Sequence, residues 1–200
     1  MRLSRVAFGV VATAATLATA LPSQAAAPKT ADLYFGNAAA NGTGTCTPEY
    51  VLTAKPIGGA VCGHITAGAN GSGFLSTDEY ASDKKSVGYK LDAKRKLTGV
   101  VWVASYGPLA VGPAETLPGP IGATVTVTIN GKEIGSTQVD TVNTDPNGGA
   151  KVPISMTIPA SLNGQVVKSV ATSVAYRGGA YITTVRYDDA HASKLTLPRK

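Results

Sequence analysis

The chain reads as all-β, a two-sheet antiparallel sandwich of Greek-key or jelly-roll type with about nine to ten short strands. Three observations predict this class. The chain beyond its first 25 residues is rich in Val, Thr and Gly and only 15% of the whole sequence is charged. Apolar residues alternate with polar ones through the second half, and Asn-Gly, Gly-Gly and Pro turns punctuate the runs.

In chain order, residues 1–25 come first and read as a secretory signal peptide. Arg2 and Arg5 precede an apolar run from Val6 to Leu21, and Ser23 and Ala25 supply the small residues a signal peptidase needs. The run is too short and too rich in Ala and Thr for a membrane anchor, and no later segment reaches the ~20 apolar residues that span a bilayer. The first cysteine, Cys46, stands too far from the run for lipid attachment, and the Leu197-Pro198-Arg199-Lys200 ending has no wall-sorting tail. The expected product is one released extracellular domain, residues 26–200.

Early strand candidates are Asp32 to Gly36, Tyr50 to Ala54, Gly59 to Thr66, Gly73 to Thr77 and Val87 to Leu91. Leu97 to Tyr106 is apolar on both faces, which predicts a central strand and places Trp102 in the core. Gly107 to Gly122, with four prolines, reads as a crossing loop. Ala123, Val125, Val127 and Ile129 alternate with Thr124, Thr126, Thr128 and Asn130, and Asn130-Gly131 suits a type I′ hairpin turn. Beyond that turn a bulge at Gly135-Ser136 is needed to bring Thr137 and Val139 into phase. Val152 to Ile158 alternates again, with Pro153 marking an edge or a bulged start. Pro159 to Asn163 reads as one helical turn stopped by Gly164. Val166 to Tyr176, Tyr181 to Tyr187 and Lys194 to Pro198 complete the strands.

Charge narrows the partners. Loss of Arg2 and Arg5 leaves sixteen basic groups against twelve acidic ones, a mature net of +4. The basic clusters Lys84-Lys85 and Lys94-Arg95-Lys96 lack interleaved aromatics, so nucleic acid is not an expected partner. In an oxidising compartment Cys46 and Cys62 are expected to pair, a bridge worth roughly 3 kcal/mol by chain entropy.

No constellation predicts catalysis. A triad has only His64 and His191 to draw on, and the Ser193 and aspartate neighbours of His191 lie too close along one loop. A glycosidase needs facing carboxylates, whereas adjacent Asp78 and Glu79 point to opposite faces of a strand. Asp188 and Asp189 are candidate ligands for a structural calcium, or acceptors in a turn, and no other cofactor is expected. Tyr181, Tyr187 and Tyr50, near strand ends, are candidate ligand-binding rings. Asn41-Gly42-Thr43 and Asn70-Gly71-Ser72 mark surface loops.

Two motifs, Leu97-Thr98-Gly99-Val100-Val101-Trp102-Val103 and Tyr187-Asp188-Asp189 followed by Ser193-Lys194-Leu195-Thr196-Leu197-Pro198, resemble secreted bacterial β-sandwich domains of uncharacterised function. Their fold pattern is similar to jelly-roll accessory and carbohydrate-binding domains. The resemblance implies a jelly-roll-like sandwich with these residues in structural roles and no catalytic residue. The functional expectation is a secreted, non-catalytic module that binds a polymer or protein at or outside the cell surface. A glycan-acting hydrolase and a protease inhibitor using Gly107 to Gly122 are the alternatives.

Overall fold

The computed structural model describes residues 29–38, 49–57, 64–66, 76–108, 121–142, 150–177, 181–186 and 191–200. Among them the fold is all-β, as expected. The strands are β1 (Thr30–Asn37), β2 (Tyr50–Thr53), β3 (His64–Thr66), β4 (Ser76–Ser82), β5 (Lys96–Pro108), β6 (Ile121–Ile129), β7 (Lys132–Val142), β8 (Ala150–Thr157), β9 (Val170–Arg177), β10 (Tyr181–Arg186) and β11 (Lys194–Pro198). A 3-10 turn at Ala160–Leu162 follows β8, and Gly164 ends it with a φ of 77°.

The sequence pattern suggests two sheets, but the ladders join the described strands into one. The order is β3-β10-β5-β11-β1-β2-β4-β9-β6-β7, with β8 on the other edge of β5. β10 and β11 lie end to end along one edge of β5, pairing with Trp102 onward and with Thr98 to Val100 respectively. The wall is therefore nine strands around, from β8 through β5, β11, β1, β2, β4, β9 and β6 to β7, and β7 returns alongside β8 to nearly close a barrel. β1 is the stitch that joins what two sheets would separate, since it pairs with β11 on one edge and β2 on the other. Among the described ladders only β2–β4 is parallel. Near-closure suits an all-β chain because it hides the unpaired edges that invite aggregation.

Alternation decides what fills the barrel. Leu33 and Phe35 of β1, Leu97, Val101 and Val103 of β5, and Val125 and Val127 of β6 point inward and are buried. From β8, Val152, Ile154 and Met156 do the same, while Lys151, Pro153, Ser155 and Thr157 face solvent. Each fully buried aliphatic side chain contributes roughly 1.5–3 kcal/mol of transfer free energy. Pro153 is tolerated because β8 has a ladder on one edge only, with β5.

The β6–β7 hairpin forms as its turn residues require. Asn130 and Gly131 both have positive φ, 51° and 77°, the type I′ pair whose twist matches that of the strands. The expected bulge is present one position early: Thr128 pairs with Glu133 and Val127 with Gly135, leaving Ile134 as the extra residue. Thr137 and Val139 then align with Val125 and Ala123. Asn130 also anchors the neighbouring loop, its Oδ1 accepting from Lys168 N (2.7 Å) and Ser169 N (3.2 Å) while Nδ2 donates to Val166 O (2.9 Å). Asn130→Ala is expected to cost about 2–3 kcal/mol, because turn conformation and loop anchoring are lost together. Denaturant unfolding checks this, and a cost within the ~0.5 kcal/mol of an ordinary surface substitution contradicts it.

Several segments differ from the sequence reading. Of the strand expected at Gly73 to Thr77, residues 73–75 lie outside the described residues; β4 runs Ser76–Ser82, past the expected end, because Asp78 is an inward-facing polar residue that interrupts the apolar alternation. Val87 to Leu91 is a loop with isolated bridges from Lys90 to Val166 and Leu91 to Arg199. Regular pairing of β9 begins at Val170, so Val166 is 41% exposed and Val167 takes the buried position. This end of the barrel is sealed by backbone hydrogen bonds between loops, among them Gly88 N to Val167 O (2.8 Å), Val167 N to Tyr89 O (2.9 Å) and Lys200 N to Lys90 O (3.0 Å).

Candidate functional site

Of the residues singled out by sequence, Cys46, Cys62, Tyr187, Asp188 and Asp189 lie outside the described residues, as does the leader at 1–25. Tyr181 begins β10, paired with Pro108 of β5 and Thr66 of β3. Tyr50 begins β2 and stacks on Tyr80 with centroids 4.7 Å apart and planes at 29°, and Tyr80 meets Phe35 edge-on at 4.8 Å. Tyr50 is thus a rim-of-core residue. Tyr50 pairs with Asn37 of β1, so no ladder places Tyr50 and Tyr181 opposite each other.

Asp78 and Glu79 face opposite ways as expected: Asp78 is fully buried and Glu79 exposed. Inside the barrel, Tyr176 Oη donates to Asp78 Oδ2 at 2.8 Å. Burial, then the negative charge of Asp78 and the nearby Tyr80, holds the Tyr176 hydroxyl well above the usual phenol range. The pair is an internal polar tie that no ligand reaches as placed. No group of three or more His, Cys, Asp or Glu suited to a metal occurs among the described residues.

Trp102 departs from the expectation. It is half-buried on the outer face of β5, with Val100 and Thr98, while Leu97, Val101 and Val103 occupy the interior. The signal was present in the sequence, since Lys96 and Thr98 share the parity of Trp102. Its indole meets the His191 ring edge-on, with centroids 5.0 Å apart at 81°, and Lys151, directly opposite on β8, places Nζ 6.0 Å from the indole centroid. Between β11 and β10 the edge of β5 has a gap. The buried Ser193 side chain fills it by accepting from Trp102 N at 2.9 Å, which fixes the indole-bearing backbone.

The same outer face continues over β11 and β1. Tyr34, Lys194 and Val100 stand in one cross-strand row, and Asp32, Thr196 and Thr98 in the next. Lys194 Nζ lies 5.7 Å from the Tyr34 ring centroid and 3.0 Å from Asp32 Oδ2, and Thr196 Oγ1 donates to Asp32 Oδ1 at 2.7 Å. Burial pushes the Asp32 carboxyl up, but the bonds from Thr196 and Lys194 and the Lys194 charge together hold it below its ordinary value. Lys194 is raised, first by its hydrogen bond to Asp32. Tyr34 and Trp102 are two strand spacings and one side-chain repeat apart, about 12 Å between backbones.

This outer face therefore carries two half-buried rings, Tyr34 and Trp102, with the Lys151 ammonium beside the indole and the Lys194–Asp32 ion pair beside the phenol. The rows are held on paired strands rather than on loops, so the spacing between the rings is rigid. No family model matches the chain and no curated protein gives a match.

Proposed function

We propose that the chain is a secreted, non-catalytic binding module that holds an extracellular polymer, foremost a polysaccharide with acidic groups, against the outer face of β8, β5, β11 and β1. The observation that carries this reading is the half-buried Trp102 on the outside of the sheet, flanked by Lys151 and His191 and one side-chain repeat along β5 from the Tyr34–Lys194–Val100 row, whose Lys194 pairs with Asp32. Ring faces stack on sugar rings, and lysines favour carboxylated units over neutral ones. In this reading residues 1–25 direct export and are removed, Cys46 and Cys62 are bridged, and the barrel is flattened so that its halves pack like a jelly-roll sandwich. A protein partner on the same face is the less favoured occupant, because the rigid ring spacing suits a repeating chain better than an irregular surface.

Retention of the mature protein on insoluble polysaccharides and cell-envelope fractions tests the reading. Saturable retention is expected, weakening as salt rises, and Trp102→Ala is expected to weaken it about tenfold or more. No retention on any fraction, retention unchanged in Trp102→Ala, or turnover of a glycan would overturn the proposal.

A further inference from the structure

The sealed end of the barrel carries most of the positive charge. Along the ladders it gathers the starts of β1, β5, β7 and β9 and the closes of β2, β4, β6, β8 and β11. Twelve of the sixteen basic groups beyond residue 25 lie at those strand ends or in the segments adjoining them. We infer that this end docks on the surface of an anionic lipid bilayer. The inference does not rest on the outer-face reading.

Two basic runs that stand apart in sequence meet here. Lys84-Lys85 and Lys94-Arg95-Lys96 both belong to the passage from β4 into β5, and an Arg95 Nη donates to the Lys29 carbonyl oxygen at 3.1 Å. Lys200 N donates to Lys90 O at 3.0 Å and Arg199 N to Lys29 O at 2.8 Å, which sets Arg199 and Lys200 beside that passage. Lys132 Nζ donates to Ser161 Oγ at 2.8 Å, and Lys168 follows Val167, whose N donates to Tyr89 O at 2.9 Å. Apart from half-buried Arg199, the cations of this end are all exposed.

Few acids offset them. Asp83 Oδ1 accepts from Ser86 N at 2.7 Å and Asp92 Oδ1 from Lys94 N at 3.1 Å, so each carboxylate is partly spent within its own turn. Glu133 is exposed on the hairpin, and Asp32 is already bound to Lys194 at 3.0 Å.

Shape and apolar content favour a bilayer over a polyanion strand. A nine-stranded wall at ~4.8 Å spacing encloses an end roughly 15–20 Å across, so the cations spread over a patch rather than along a line. A field of headgroups meets such a patch at many points, and each lysine near it is worth about fivefold in affinity. Ile57, just past the end of β2, and Val166, between β8 and β9, are 47% and 41% exposed. They are the exposed large hydrophobic side chains among the described residues, and both stand at this end. Charge attraction combined with shallow apolar insertion is the paired signal of reversible membrane binding. Tyr89, the ring in these segments, is half-buried with the Arg199 guanidinium 5.0 Å from its centroid, so bases find little stacking surface.

Flotation of the mature protein with vesicles of phosphatidylcholine alone, and of an equal mixture with phosphatidylglycerol, tests the inference. Binding is expected to the mixed vesicles only, falling steeply between about 50 and 500 mM salt. Lys84→Gln with Lys85→Gln is expected to weaken it about twentyfold, and Ile57→Ser with Val166→Ser about tenfold. Arg177→Gln with Arg186→Gln removes the same charge from β9 and β10 away from this end, and is expected to change binding less than about threefold. The four residues altered at the sealed end are exposed, and an unchanged circular dichroism spectrum establishes that each variant is folded. The inference is overturned by no binding to the mixed vesicles, by equal binding to neutral ones, or by the two arginine changes weakening it as much as the two lysine changes. Unchanged binding in the Ile57→Ser, Val166→Ser protein, or tighter binding to a DNA duplex or polyphosphate at the same salt, overturns it too.

Discussion

Gly99→Val is expected to prevent folding or to lower stability by more than about 3 kcal/mol, the largest effect of any single change to the barrel wall. Gly99 sits on β5 between Leu195 of β11 and Ile154 of β8, where the long central strand is paired on both edges. A Cβ there would press into the Lys194 carbonyl oxygen and stand 3.0 Å from Leu195 Cα. Those are backbone atoms of a paired strand, so relief requires β11 to move away from β5, and β1 pairs with β11 on its far side. Domains of this size have about 5–15 kcal/mol in total, so the loss is a large share of the whole. Gly99→Ala is expected to show the same defect in milder form. Urea unfolding followed by circular dichroism measures both, and a Gly99→Val protein of ordinary stability would contradict the close approach of the two backbones.

Alkaline pH provides the second large effect. An unfolded tyrosine releases its proton near pH 10, whereas native Tyr176 holds its proton well above that and native Tyr89 to about 12. Below pH 10 both states are protonated and the full stability is present. Above it the unfolded chain binds fewer protons than the native one, so stability falls as pH rises, by about 1.4 kcal/mol per pH unit for each such group. The fall from Tyr89 ends near 12. Tyr176→Phe separates the two contributions. It is expected to cost about 1–3 kcal/mol at neutral pH, since Asp78 loses the bond from Oη, and to flatten the decline above pH 10. Equal alkaline slopes in the two proteins would contradict the buried tie between β4 and β9.

Local pattern was legible where a strand follows its own alternation. The turn at Asn130-Gly131, the shift of phase beyond it, the stop at Gly164 and the last strand, Lys194 to Pro198, were all readable from neighbouring residues. Asp78 hid the true span of β4, because an aspartate at an inward position looks like the end of a buried face. The closure of the wall was not readable, since it depends on which distant strands pair: β1 with both β11 and β2, and β2 with β4 in parallel. The outer face was half-readable. Trp102 is visible as the sole tryptophan, and its apolar neighbours suggest a core position although Lys96 and Thr98, of the same parity, point outward. Tyr34 gave no local sign, because its place beside Lys194 depends on pairing across 160 residues.

Because Trp102 is the sole tryptophan, its fluorescence reports on the outer face without any label. Acrylamide quenching of the native protein should be appreciable when the protein is free and should fall when it is bound to a retained polysaccharide. Quenching as weak in the free protein as for a core indole, or unaltered on binding, would contradict an outward, ligand-covering Trp102.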